Sequence, residues 1–404
     1  MRLTLLLALA TLISSGCASR PVLYNPAAMQ AAAGPAVTRV LIDRWGDLYP
    51  SVAVDTAELK RVALDSLSGY YEYLQAQRRP EWQALLHDYQ VRDGNDFNQV
   101  WQTVQDSIVA RTVRGITAAA GAGPVIVLAH GYNNNEAEGR EAYDAVRVTL
   151  QRRGVASGEA AIVEVYWDGR TDLGQPILKN FHAWGYAQNT AYGVGLGLRR
   201  VLNSIPHETP VRILTHSHGG KIASVALWNV TSSLDQTVEV WRNWYDSLRN
   251  DPVRYSTPTH PDIRLAMIAP AMPGNVIGDH ADPDSSSTPA GGRVPIDRLV
   301  VGQNRRDRIV MKAFIFGLPL PASFGSTTLG GSPSEYPFYS PRFNRPGEPP
   351  VAFCVDFSHS PGPNPKEHAW TSYMQREAVG EALDLLFLDG VPAQQYPCRG
   401  GATD

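Results

Sequence analysis

The sequence predicts an α/β fold with a doubly wound, mostly parallel sheet. Two observations lead to this prediction. Short apolar runs alternate with helical patterns from residue 122 onward, which is the order in which chains build parallel sheets. The run at 125–128 is apolar throughout rather than at every second position, which indicates a strand covered on both faces. With 404 residues, 43% of them hydrophobic, the chain can bury a core of this kind.

The stretch before residue 122 has a different character. Residues 37–48 have the pattern of one strand, and apolar positions that recur every three or four residues predict helices over 56–77 and 96–120. These helices contain no chemical motif, and packing against a core explains their apolar faces. We therefore interpret residues 37–121 as a mainly helical N-terminal accessory segment.

The remaining elements define a domain from residue 122 to residue 390. We predict strands over 125–128, 161–167, 211–214, 263–268, 299–301 and 351–357, and helices over 138–153, 186–202, 221–230 and 371–387. Long connections fall at 168–184, 232–262, 273–296 and 316–350. The last of them is rich in proline, glycine and aromatic residues, which suits the wall or lid of a pocket. Residues 391–404 are interpreted as a C-terminal tail.

The N-terminus has the pattern of an export signal. Arg2 precedes an apolar run that ends at Ile13, and this run is shorter than the roughly 20 residues of a membrane-spanning helix. The small residues Ser14, Ser15 and Gly16 then lead to Cys17. This stretch resembles a bacterial lipobox, although Ser14 stands where leucine is usual.

The lipobox resemblance implies how the chain is processed and where it resides. Residues 1–16 would be removed as a signal peptide, Cys17 would bear the lipid that holds the protein to a membrane, and residues 17–36 would form a tether. Alanine rather than aspartate at position 18 implies the periplasmic face of the bacterial outer membrane. An ordinary secretory signal is the alternative, and it also exports the protein from the cytoplasm.

The chain has only three cysteines. If Cys17 bears a lipid, Cys354 and Cys398 remain as an even pair in an oxidising compartment. A bridge between them would tie the tail to the body and stabilise the fold by roughly 2–4 kcal/mol. One buried and one exposed thiol is the alternative, and both remain open at this point.

The sequence around Ser217 has the features of a catalytic serine. Ser217 lies between a predicted strand and a predicted helix, where a nucleophile elbow holds its serine in a sharp turn. Such a turn needs small residues two positions before and after the serine. Gly219 meets this need, whereas Thr215 replaces the usual first glycine. The sequence therefore predicts Ser217 as the nucleophile.

A second motif follows the first strand of the predicted sheet. His130, Gly131 and Tyr132 come directly after the apolar run at 125–128. Serine hydrolases of this topology place one oxyanion donor in that loop and another on the residue after the nucleophile. We therefore predict the backbone N–H groups of Tyr132 and His218 as the oxyanion hole. A simple turn at the strand end is the alternative for this loop.

The acid and the base should follow Ser217 in that order. Asp307 lies in an Asn-x-x-Asp pattern just after the strand at 299–301, and we predict it as the acid. A surface aspartate paired with a neighbouring arginine is the alternative. His368, in the loop before the last helix, is the predicted base, and His359 is the alternative base.

Together these motifs resemble the α/β-hydrolases of the lipase and esterase type. The resemblance rests on H-G-Y-N-N, T-H-S-H-G, N-x-x-D and H-A-W-x-x-Y, and it covers about residues 122–390. It implies a serine hydrolase that cleaves carboxylic esters, acyl or lipid-like, through an acyl-enzyme. In that mechanism His368 takes the proton of Ser217 and Asp307 orients His368, with no metal and no organic cofactor.

The same residues also allow other interpretations. An amidase or peptidase would use the same triad, and an envelope lipoprotein could use the fold only for binding. A zinc site built from His130, His216 and His218 is disfavoured because the two residues that flank a nucleophile should not converge on one ion. The net charge of −3 gives no electrostatic argument for nucleic acid, and we predict no such partner.

Overall fold

Seven strands form one all-parallel sheet in the computed structural model of the chain. They are β2 (Val37–Ile42), β3 (Val125–Ala129), β4 (Ala161–Trp167), β6 (Val211–His216), β7 (Ile263–Ile268), β8 (Arg298–Gln303) and β9 (Ala352–Asp356). Their order across the sheet is β2-β4-β3-β6-β7-β8-β9. Two further strands, β1 (Arg20–Pro21) and β5 (Thr171–Asp172), pair antiparallel with each other. The predicted α/β class is confirmed.

The structure describes only part of the chain. The described residues are 20–21, 36–50, 74, 79–132, 134–155, 160–167, 171–172, 176–228, 257–274, 277, 296–311, 328–332, 335–344 and 347–390. The predicted signal peptide, Cys17, Cys398, the tail and all but one residue of the predicted helix 56–77 lie outside them. Among the described helices, none is both long enough and apolar enough to cross a membrane.

The predicted strands agree closely with the observed ones. Those at 161–167 and 263–268 have the predicted bounds, and the other four predicted from residue 122 onward differ by one or two residues at their ends. Every residue of β3, β4, β6 and β7 is buried. This burial on both faces explains why their sequences are mainly apolar, with buried charged residues only at Glu164, Arg212 and Arg264.

The described helices differ more from prediction. They are α1 (Arg79–Tyr89), α2 (Phe97–Ala120), α3 (Glu136–Arg152), α4 (Pro176–Ser204), α5 (Gly219–Leu227), α6 (Thr328–Gly331), α7 (Tyr336–Phe343), α8 (Trp370–Tyr373) and α9 (Ala378–Phe387). Helix α1 was not predicted, and α4 begins inside a predicted connection. The predicted helix 371–387 is two helices, because the buried Arg376 between them bonds to the carbonyl oxygens of Phe357 and Asn364.

The helices pack in two groups around the sheet, as in a doubly wound α/β fold. Helices α2, α4 and α5 contact the sheet and one another, whereas α3 contacts α8 and is tied to α9 by the Arg153–Asp384 ion pair. Two described elements of residues 37–121 belong directly to the α/β fold. Strand β2 pairs with β4 along all six residues and α2 packs on β2, β3 and β4, so these two elements are not separate from the sheet.

A buried ion pair fixes the register at this edge of the sheet. Glu164 lies fully buried in the middle of β4, and Arg39 on β2 is its direct register partner. The Arg39 Nε and a Glu164 carboxylate oxygen are 2.9 Å apart, and Arg147 on α3 approaches the other oxygen at 2.7 Å. A slip of β2 by one residue would leave the buried carboxylate without Arg39, which is costly.

Close helix packing explains the glycine-rich stretch of α4. A Cβ on Gly193 or Gly197 would collide with the backbone of residues 44–46, and one on Gly195 would press on Val225 of α5. The glycines let α4 lie directly against the turn after β2 and against α5. This agrees with a packing role for the stretch.

Cys354 lies buried in β9 and is disulfide-bonded. The chain has two other cysteines, Cys17 and Cys398, and both lie outside the described residues. The pairing of Cys354 with Cys398 therefore stays a prediction.

Candidate active site

The topology creates a crevice between β3 and β6. These strands are neighbours, but the chain leaves β3 toward β4 on one side and leaves β6 toward β7 on the other. Connections therefore diverge at their carboxyl ends, which is where open α/β sheets form their sites. The loop at residues 130–132 follows β3, and Ser217 follows β6, so both lie at this crevice.

Ser217 occupies a strained turn between β6 and α5. Its φ is 57°, a left-handed conformation that residues with a side chain rarely adopt. Its N–H donates to the carbonyl oxygen of Ile268 at 3.1 Å, and its own carbonyl oxygen accepts from the N–H groups of Gly220 and Ala271. These three hydrogen bonds hold the strained residue in place, as the elbow prediction requires.

Contacts around the turn explain why threonine can replace the usual glycine at position 215. A Cβ on Gly219 would overlap the carbonyl group of Ala129, so this position needs glycine. Thr215 is fully buried in β6 and its hydroxyl lies 3.4 Å from the carbonyl oxygen of Ala266. The threonine side chain is thus accommodated between the strands, and the turn does not need a glycine there.

Arg199 fixes the far end of the helix that follows Ser217. Its buried guanidinium donates to the carbonyl oxygens of Ala226 at 3.0 Å and Trp228 at 2.7 Å, and also to that of Val225. These carbonyls end α5 and have no partner within the helix. The guanidinium of α4 therefore caps α5 and locks the two helices together.

The loop after β3 lies directly against the serine. A Cβ on Gly131 would come within 2.9 Å of Ser217 Cβ and 3.3 Å of Ser217 Oγ. The His130 N–H donates to the Tyr143 hydroxyl at 3.1 Å, and the Trp167 indole N–H donates to the His130 carbonyl oxygen at 3.2 Å. The loop that contains the predicted oxyanion donor is thus braced by two aromatic side chains.

His130 helps to hold this loop in place and is not one of the predicted catalytic groups. Its Nδ1 lies 2.6 Å from the carbonyl oxygen of Gly131, so Nδ1 holds the hydrogen. Complete burial lowers the pKa of His130 to about 4. The ring is therefore neutral near pH 7 and acts as a hydrogen-bond donor within its own loop.

The structure brings the predicted acid and base together. Asp307 is fully buried after β8, and one carboxylate oxygen accepts from His368 Nδ1 at 2.7 Å. The other oxygen accepts from the backbone N–H groups of Ile309 at 2.8 Å and Val310 at 3.3 Å. Because Nδ1 of His368 donates to Asp307, its Nε2 presents a lone pair to the crevice.

Tyr373 and Asn304, to which the sequence analysis assigned no role, form hydrogen bonds around the predicted acid. The Tyr373 hydroxyl donates to the same Asp307 oxygen that His368 uses, at 2.6 Å, and Asn304 donates to the Tyr373 oxygen at 2.8 Å. Burial, and next the Asp307 charge, raise the pKa of Tyr373 well above its usual value. Tyr373 lies in the H-A-W-x-x-Y stretch, but a tyrosine at helical spacing has no signal that separates this role from packing.

The alternative assignments for acid and base are placed elsewhere. His359 is exposed, with 72% of its side chain in contact with solvent, and it lies 3.4 Å from Asp356. The described ion pairs of Asp307 include His368 and neither Arg305 nor Arg308. The geometry therefore favours His368 over His359 and a buried Asp307 over a surface pair.

Two further histidines surround the serine. His216 stacks on Trp370 and its ring centroid lies 4.6 Å from that of His368, and His218 meets Tyr132 edge-on. Burial lowers the pKa of both His216 and His218 well below the usual value, with His368 the next cause for His216 and Lys221 for His218. Within the described residues, no group of three or more His, Cys, Asp or Glu side chains is arranged to hold a metal ion.

The serine and the base line one cavity of about 560 Å³. Ser217 is 1% exposed, and its Oγ has no hydrogen-bond partner among the described residues. The same is true of His368 Nε2. Their hydrogen bond is thus not formed here, and a rotation about the Ser217 Cα–Cβ bond is the motion that could form it. The cavity lining is Gly131, Tyr132, Asn134, Glu138, Glu141, Ala142, His216, Ser217, Ile309, Glu367, His368, Ala369, Trp370 and Thr371.

Known proteins offer no comparison for this cavity and its residues. Comparison of the chain with protein-family models, with curated proteins and with solved structures finds no significant match.

Proposed function

We propose that the protein is a serine hydrolase of the α/β-hydrolase type that cleaves carboxylic esters. The observation that supports this most is the convergence at one cavity of three features. They are a serine in a strained elbow, a histidine with a free Nε2, and a buried carboxylate bonded to the other nitrogen of that histidine. This combination is what an activated serine nucleophile requires.

The proposed reaction uses an acyl-enzyme. His368 Nε2 accepts the Ser217 proton while Ser217 Oγ attacks the ester carbonyl carbon, and the backbone N–H groups of Tyr132 and His218 stabilise the oxyanion. His368 then gives the proton to the departing alcohol as the C–O bond breaks. Water, deprotonated by His368, attacks the acyl-enzyme and releases the carboxylic acid and free Ser217.

Labelling with a fluorophosphonate probe tests this proposal. The wild-type protein should be labelled at Ser217 and should hydrolyse p-nitrophenyl esters, whereas Ser217→Ala should lose the label and lower kcat by at least about 10³-fold. Ser204→Ala is the matched control, because the Ser204 hydroxyl bonds to the Arg200 carbonyl on α4, before β6 and away from the cavity. A folded wild type that takes no label, or that is labelled at another serine, would contradict the proposal.

The location of the enzyme is a separate proposal. We propose that Cys17 bears a lipid that anchors the protein at the bacterial outer membrane, with the ester hydrolase on the periplasmic side. The support is the lipobox-like stretch before Cys17. A lipid anchor would bring the cavity close to substrates at the membrane surface.

A further inference from the structure

The charged side chains that line the cavity all have the same sign. They are Glu138, Glu141 and Glu367, and all three are exposed. Glu138 and Glu141 lie on the first turns of α3, whereas Glu367 directly precedes the base His368. The two sides of the entrance are therefore acidic, although they come from distant parts of the chain.

Two of these carboxylates are not neutralised by the described part of the protein. Glu141 and Glu367 have no ion-pair partner among the described residues, whereas a Glu138 oxygen accepts from the Asn135 N–H at 2.8 Å. The nearest cation on α3, Arg140, is paired with Glu136. Arg308 and Lys366, which share a backbone hydrogen bond, are exposed and are not in the cavity lining.

Aromatic rings line the same cavity as the acidic side chains and the serine. Tyr132 and Trp370 both line the cavity, and Trp370 is almost fully buried. Aromatic faces attract ammonium and guanidinium groups, and they do so more strongly where water is excluded. Carboxylates outside and aromatic rings inside together suit a cation that enters with one end in solvent.

The cavity that these glutamates line also contains polar atoms without a hydrogen-bond partner among the described residues, as a ligand-binding site does. Ser217 is buried, and both its Oγ and His368 Nε2 lack a partner among the described residues. A sphere of the cavity volume is about 10 Å across, slightly more than the roughly 8 Å over which physiological salt screens charges but well within the roughly 30 Å at 0.01 M salt. At low salt, a charge on a substrate bound to Ser217 therefore interacts with the entrance carboxylates.

We propose that the cavity selects esters that contain a cationic group, an ammonium or a guanidinium, and disfavours anionic esters. This inference rests on the proposed ester hydrolase function and adds a substrate class to it. Glu141 and Glu367 attract the cation and Tyr132 and Trp370 receive it, while the ester carbonyl lies at Ser217. A lipid with an anionic head group is then a poor substrate, although a lipid-like ester with a cationic head group fits.

The test compares three esters of similar size. They are a choline ester, its uncharged carbon isostere the 3,3-dimethylbutyl ester, and an ester with a carboxylate in the alcohol part. Each kcat/KM is divided by the rate of alkaline hydrolysis of the same ester, which removes differences in intrinsic reactivity. At low salt the cationic ester should exceed the neutral one by about fivefold, and this ratio should fall toward one at high salt.

Charge-neutral variants assign the effect to the entrance. The double variant Glu141→Gln, Glu367→Gln should lower the ratio of cationic to neutral kcat/KM from about fivefold to less than about twofold. Glu138 is left unchanged because it caps α3. Glu208→Gln is the matched control, since Glu208 is exposed before β6, at the opposite edge of the sheet, and its loss should leave the ratio unchanged.

The outcomes separate the two proposals. A wild type that cleaves the neutral ester but shows no preference for the cation would overturn the charge selectivity and leave the hydrolase function standing. A preference that persists in the double variant would also overturn the role of these glutamates. A wild type that cleaves none of the three esters would overturn the hydrolase function, and the substrate class would fall with it.

Discussion

Ser217, the proposed nucleophile, has a strained backbone. A left-handed conformation costs roughly 1–2 kcal/mol for a residue with a side chain, and the φ of Ser217 is 57°. Its N–H bond to Ile268 and the bond from Ala271 to its carbonyl oxygen hold it there. Glycine would adopt this conformation without the steric cost, so serine at this position carries strain that the proposed nucleophilic role would explain.

Replacement of Ser217 by glycine tests this strain. We expect Ser217→Gly to raise the free energy of unfolding by roughly 0.5–1 kcal/mol, because relief of the strain exceeds the extra chain entropy of glycine. Urea denaturation of the two proteins measures the difference. Ser217→Ala keeps the Cβ and should show no such gain, and a glycine variant less stable than the alanine variant would contradict the strain.

The residues of the candidate site differ in how far the sequence reveals them. Ser217, Asp307 and His368 were predicted from motifs next to strand ends, and the structure brings Asp307 and His368 together. The contribution of Tyr373 to the Asp307 carboxylate was not predicted. Its partner is 66 residues away, and only the parallel order of β8 and β9 brings the two segments together.

At the scale of an element, helix α5 contains an unusual buried cation. Lys221 is 2% exposed, its ammonium lies 3.0 Å from the Gln188 side-chain oxygen and 4.5 Å from the centre of the Tyr192 ring. Burial lowers the pKa of Lys221 from 10.5 to about 7. At pH 6 Lys221 is therefore protonated, although burial disfavours its charged form.

Substitution of Lys221 by methionine should stabilise the protein at low pH. The unfolded chain keeps the Lys221 proton up to about pH 10.5, whereas the folded chain loses it near pH 7, so wild-type stability rises between these values. We expect the Lys221→Met substitution to raise the free energy of unfolding by roughly 1–2 kcal/mol at pH 6 and by less at pH 9. Denaturation at both pH values measures this, and a gain that grows with pH would contradict it.

The elements themselves were predictable where apolar runs are long. All six strands predicted from residue 122 onward were found because strands buried on both faces are mainly apolar. Helix α1 was missed although its buried Trp82, Leu85 and Leu86 have the spacing of an amphipathic helix and the helix packs on α2. The break between α8 and α9 depends on the buried Arg376, which an apolar pattern cannot reveal.

At the scale of the whole molecule, three buried histidines are gathered at the carboxyl edge of the sheet. They are His130, His216 and His218, and burial lowers the pKa of each. The unfolded chain binds protons at these positions from about pH 6.5 downward, whereas folded His130 binds one only near pH 4. Protons therefore favour the unfolded state throughout this window.

We accordingly expect stability to fall as the pH is lowered from 7.5 to 5. His130 alone should account for a loss of about 2 kcal/mol by pH 5, and His216 and His218 add losses of the same sign. Urea denaturation across this range measures the free energy of unfolding. His130→Gln should show a smaller loss over the same range, and an unchanged wild-type stability between pH 7.5 and 5 would refute the prediction.

The attachment of α5 at both ends has a consequence for motion. Its first turn is bonded to the strand ends through Ser217, and its last carbonyls accept from Arg199. Amides so anchored exchange their hydrogens with solvent only in rare openings of the core. The backbone of Ser217 is thus held in one place, so any adjustment to a ligand there falls to side chains, which reorient far faster than the core opens.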